Sequence, residues 1–126
     1  MKLTELFLDQ LKTEAAASRK AVERVPDGRA DWKSWKPHEK SMEMGYLAML
    51  VASMPAWIEM IIGRDELDIA PKGPGAFKPP EFQTGHDLAL ACDGATEKAR
   101  KALEGTNDDY LMTKWKLLAG GRVVNL

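Results

Sequence analysis

The chain has 126 residues, and its 18 Lys and Arg against 19 Asp and Glu leave a formal net charge of −1. Charge this close to balance argues against a protein whose main work is holding phosphate backbones, and 44% hydrophobic with 29% charged residues excludes a disordered chain. One cysteine, Cys92, excludes an intramolecular disulfide, and His38 and His86 add little toward a zinc site. The expectation is a single domain over residues 1–126 in a reducing, cytoplasmic compartment.

The opening residues do not read as an export signal, because Glu5 and Asp9 interrupt the apolar run that a signal peptide needs. They read instead as an amphipathic helix from Leu3 to about Val25. Leu3, Phe7, Leu11, Ala15, Ser18, Val22 and Val25 recur at steps of three and four and so share one face. Pro26 and Gly28 stop it. A polar loop with Trp32 and Trp35 follows. Ser41 is the predicted N-cap of a second helix, with Glu43 in its first turn and Gly63 at its C-cap. Leu47, Val51, Met54, Ile58 and Ile62 make its main apolar stripe, and Met42, Met49, Ala56 and Met60 a second on the far side. Two apolar faces call for neighbours on both sides.

From Met44 to Ile62 the only charge is Glu59, close to the roughly 20 residues that span a bilayer. Pro55, Glu59 and the Ala, Met and Ser content favour a bundle interior instead, so no membrane contact is expected. The stretch from Ile69 to Thr84 holds four prolines and two glycines and reads as a long loop. A third helix starts at Thr84, with Asp87 completing a capping box, and ends at Gly105. Leu88, Ala91, Ala95, Ala99 and Ala102 face inward, small enough for close helix approach. After a turn at Thr106–Tyr110, the runs on either side of Ala119-Gly120-Gly121 predict a β-hairpin. The fold class is all-α: three long helices, a proline-rich loop and a terminal hairpin.

The run Trp35–Ile62 resembles the DinB-like (DinB/YfiT-like) superfamily of bacterial proteins. The resemblance rests on Trp35–His38, Ser41-Met42, Gly45–Ala48 and Pro55–Trp57, with support from Asp65–Ala70 and Trp115–Val124. It implies an up-down-down-up four-helix bundle. Many members hold a divalent metal, often zinc or nickel, through three histidines, and some are thiol-S-transferases. The first of those histidines would align with Leu50. The other two belong to a fourth helix after the hairpin, and the chain reaches Leu126 first, so the resemblance implies a domain incomplete at its C-terminus.

The remaining chemistry is sparse. His86 and Cys92 lie roughly 240° apart on a helix and do not share a face. Cys92 reads as packing, His86 as surface or capping, and His38 as loop packing. Trp32, Trp35, Lys33 and Lys36 could stack nucleobases, but the patch is short and the chain is not basic, so no nucleic-acid partner is expected. Glu97 and Lys101 make an exposed (i, i+4) pair. Leucine at position 50 would make the family's metal pocket apolar, with Met54, Trp57 and His38 as further pocket candidates. The expected function is non-catalytic binding of a small apolar ligand or a partner chain, with no cofactor. An unfilled fourth-helix groove would favour homo-oligomers. The alternative is a divalent-metal-dependent thiol transferase or hydrolase seen without its last helix.

Overall fold

A computed structural model describes residues 2–69 and 80–124. The proline-rich loop expected over Ile69–Thr84 lies largely outside the described residues. The first helix, α1 (Leu3–Glu23), matches its expected span, with Arg24 as C-cap. The expected second helix is two. α2 (Met44–Ser53) and α3 (Ala56–Ile62) meet at Met54-Pro55 with a bend of 51°. Pro55 has no N–H to donate to the carbonyl four residues back, and its ring crowds that carbonyl. Trp57 and Ile58 then bond back only three residues, to the carbonyls of Met54 and Pro55.

The start of α2 also differs from expectation. Its N-cap is Glu43, not Ser41, and no side chain caps it. Its first free donors go to the preceding loop instead. The Met44 N–H donates to the Trp35 carbonyl and the Gly45 N–H to the Lys33 carbonyl, both at 2.9 Å. Helix starts leave such donors unmatched until something supplies an acceptor. Gly45 allows this approach, because a Cβ there would sit 2.9 Å from the Lys33 Cβ and 3.0 Å from its carbonyl oxygen.

The third long helix, α4 (Gly85–Glu104), follows its sequence signals closely. Thr84 accepts from the Asp87 N–H, Asp87 reaches back to the Thr84 N–H, and Gly105 is the C-cap. The N–H groups of Gln83 and Thr84 hold the Asp87 carboxyl below its usual range. Glu97 pairs with Arg100 rather than with Lys101, and the same guanidinium takes Glu104 at 2.7 Å. The expected turn after α4 is a short helix, α5 (Asp108–Leu111), capped by the Asn107 side chain.

Two strands, β2 (Lys116–Ala119) and β3 (Arg122–Val123), form the expected hairpin. Gly120 and Gly121 both have positive φ, at 61° and 85°, the pair of angles a tight hairpin turn needs. A third strand, β1 (Glu66–Asp68), was not expected. It pairs in parallel with β2, Leu67 opposite Leu117, giving the order β1-β2-β3. Asp68 then accepts from the Gly120 and Gly121 N–H groups at 2.9 and 2.7 Å, tying the β2–β3 turn to β1.

The fold is therefore mostly helical with a small sheet. α4 is its hub, packed against α1, α2 and α3. The core gathers where α2, the first half of α4 and the last turn of α1 meet: Val22, Trp32, Ala48, Ala52, Leu88, Ala89 and Cys92. Trp32 is buried against Phe82, the rings 5.8 Å apart, and the Lys33 Nζ lies over the Phe82 ring, 4.6 Å from its centre. These contacts lock the loop before α2 onto the segment before α4. Small residues at Ala48 and Ala52 let α2 approach α4 closely, where they cluster with Leu88, Ala89 and Cys92.

No single helix among the described residues is long and apolar enough to cross a membrane. The pair α2 and α3 has the length and composition only when taken together across its bend.

Candidate functional site

The core occupies one end of the bundle. At the other end α1 and α3 stand apart, and an open groove of about 620 Å³ runs between them over the C-terminal half of α4. One wall is α1, through Phe7, Leu11, Ala15 and Ser18. The other is the bent α2–α3 unit, through Val51, Met54, Ile58 and Ile62. Leu103 and Leu111 line it from α4 and α5.

These walls are the two apolar stripes of the sequence. Four of the seven stripe residues of the first helix and four of the five of the second face this space. The stripe expected to form the interior of the second helix is thus a groove wall. Its buried face is instead the small-residue row Gly45, Ala48 and Ala52. Leu47 and Met54, both expected inside, are 47% and 46% exposed. Burying a large apolar side chain is worth roughly 1.5–3 kcal/mol, so a wall of this composition carries a strong drive to be covered.

Polar groups in the groove are few and sit on one wall. They are Gln10, Glu14 and Ser18, all on α1, and Glu14 is the one ionisable side chain among the described lining residues. Glu14 has no second titratable side chain beside it among the described lining residues. The groove has the volume and apolar character of a ligand site, near the middle of the ~300–1,000 Å³ range of such sites.

The four pocket candidates do not converge. Met54 lines the groove, whereas Leu50, Trp57 and His38 are not among its lining residues. Leu50 and Trp57 are half-buried, and His38 is exposed, its Nδ1 accepting from the Lys40 N–H at 3.1 Å. The signal that would have found the groove was the stripe itself. Met54 belongs to it, while Leu50 and Trp57 lie off it. Phe7, Leu11, Ile58 and Ile62 were in the stripes but were read as core.

Cys92 is buried at the opposite end, and burial pushes its thiol up. His86 is exposed at the start of α4. Among the described residues no three His, Cys, Asp or Glu side chains are placed to hold a metal ion. With Leu50 where the resemblance implies a histidine, the residues present do not fit the superfamily's metal.

Comparison with family models, with curated proteins and with solved structures finds no match to the chain.

Proposed function

We propose that this chain is a DinB-like helical bundle that works by binding, and that the groove between α1 and α3 is where it binds. The occupant is a small apolar ligand or the apolar face of a partner chain, in a cytoplasmic setting. The single observation that carries this reading is the meeting of two apolar stripes across an open space of about 620 Å³. Each stripe has the period of a face built to be covered, and the groove leaves part of each open. The resemblance at Trp35–His38, Gly45–Ala48 and Pro55–Trp57 supports the bundle type. Leu50 in place of a histidine supports binding over metal chemistry.

A polarity-sensitive fluorophore, 1-anilinonaphthalene-8-sulfonate, tests the site. At low micromolar protein the wild type should take up the dye with a blue shift and saturate near one equivalent. Met54→Lys, at a position 46% exposed, should weaken uptake tenfold or more with an unchanged far-UV circular dichroism spectrum. Uptake that ignores this substitution would reject the groove as the site. Stoichiometric divalent metal, removed by a chelator together with an activity, would reject the binding reading itself.

A further inference from the structure

The groove does not end at α3. Where α3 and α5 meet, a smaller cavity of about 70 Å³ adjoins it, and the two share Ile61, Ile62 and Leu111 as a common wall. The start of α1 belongs to the same end, since Asp108 of α5 holds the Leu3 and Thr4 N–H groups. The two cavities differ in chemistry. The groove lining is mostly apolar, whereas the small cavity adds Arg64, Asp65 and Lys114.

The polar groups of the small cavity divide into matched and unmatched. The Tyr110 hydroxyl donates to the Ile62 carbonyl at 2.8 Å, the Trp115 indole N–H to the Arg64 carbonyl at 3.1 Å, and the Thr113 hydroxyl to the Tyr110 carbonyl at 2.6 Å. Backbone acceptors that would repel an anion are therefore already bonded. Arg64 and Lys114 are exposed, and none of the ion pairs among the described residues involves either. Asp65 is in none of them either, so the cavity holds two cations against one carboxylate. The charge of the groove itself lies elsewhere. Glu14 stands seven residues along α1 from Phe7, about 10 Å at ~1.5 Å per residue, on the side away from α5. The joined space is thus cationic at its α3–α5 end, apolar along its length, and anionic farther in.

Resting on the groove as the binding site, we propose that its ligand is an amphiphilic anion, a single apolar chain with a carboxylate or phosphate head, which lies in the groove with its head at Arg64 and Lys114. A guanidinium and an ammonium side by side suit such a head, the first through paired N–H donors and the second as a point charge. Glu14 fixes the direction, because the reversed ligand would bring its head toward a like charge. A cationic head has less to hold it. Glu14 is one exposed carboxylate with no second charge beside it in the groove, whereas Arg64 and Lys114 line one cavity together.

Three fluorescent probes on one diphenylhexatriene rod test this: the neutral rod, its propionate and its trimethylammonium derivative. The titrations are run at roughly 0.15 M salt, where exposed charges act over about 8 Å. The wild type should bind the propionate about tenfold more tightly than the trimethylammonium probe. Arg64→Gln and Lys114→Gln should each weaken propionate binding about threefold, the scale of an exposed ion pair, and leave the neutral rod unchanged. The double variant should lose the preference. Lys20→Gln, the same change in net charge at the far end of α1, should keep it. Displacement of the propionate probe by dodecanoate or by dodecyl phosphate identifies the head, and displacement by neither overturns the proposal. So does an absent charge preference, an equal effect of Lys20→Gln, or a preference for the trimethylammonium probe that Glu14→Gln removes. If the neutral rod still binds in a Met54-dependent way, the groove reading survives and only the anionic head is rejected. If the neutral rod does not bind, both fall.

Discussion

Gly45 and Gly94 are both helical glycines, and their surroundings assign them opposite roles. A helical Gly→Ala change gains up to about 1 kcal/mol where nothing interferes, because alanine loses less backbone entropy on ordering. At Gly94 nothing lies within 4 Å of the added Cβ. Gly94→Ala should therefore raise stability by about 0.5–1 kcal/mol. At Gly45 the same atom would meet the Lys33 Cβ at 2.9 Å and its backbone at 3.0 and 3.1 Å. Lys33 cannot give way freely, since its Nζ is bonded to the Phe82 carbonyl and, at 3.1 Å, to the Gln83 side chain. Overpacking of this sort costs roughly 1–3 kcal/mol, which outweighs the propensity gain, so Gly45→Ala should be destabilising. Urea denaturation of the two variants side by side checks this. An equal gain at both sites would show that the loop before α2 is not held against it.

Among the elements, those specified by neighbouring residues were legible and those specified at a distance were not. Helix α4 could be read from one end to the other because Thr84, Asp87 and Gly105 act within a turn of themselves. The start of α2 could not, because its caps are the carbonyls of Lys33 and Trp35. Strand β1 is three residues whose partner lies about 50 positions later, and so brief a run has no period of its own. Pro55 was visible as an interruption, but the 51° bend also depends on α2 and α3 packing separately on α4. Asp108 is another distant contribution. Its carboxylate accepts from the Leu3 and Thr4 N–H groups at 2.9 and 3.1 Å, so α5 caps the start of α1 and places a negative charge at that helix's positive end. Asp108→Ala should cost about 1 kcal/mol, typical of a lost N-cap. Amide exchange should quicken in the first turn of α1 and stay unchanged in α4. Uniform quickening would mean that Asp108 supports the whole fold rather than this junction.

At the scale of the molecule, core and groove divide the bundle between them. The apolar periodicity of α1 and of the second helix was plain in the sequence. Which part of each stripe meets α4 and which part meets open space was not, because that depends on where three helices diverge. The pocket candidates Leu50, Trp57 and His38 came from a resemblance to a metal site. The groove that holds Met54 follows from stripe geometry instead, and this is why only one of the four lies there. The same division makes Cys92 a reporter of the whole core. It is 1% exposed, packed on the hub helix within the cluster that contains Val22, Trp32 and Ala52, and burial pushes its thiol up, so the reactive thiolate is scarce at neutral pH. It belongs to the core cluster and not to the groove lining. Reaction with a disulfide reagent should therefore require global unfolding, and be slower than in the denatured chain by about 10³ or more, given a typical stability of ~5 kcal/mol or above. Added urea should accelerate labelling with the same slope that circular dichroism gives for equilibrium unfolding, because both then report the same exposed surface. Fast labelling with a shallow slope would mean that α4 parts from α1 and α2 while the rest stays folded, and that the core end is no firmer than the groove.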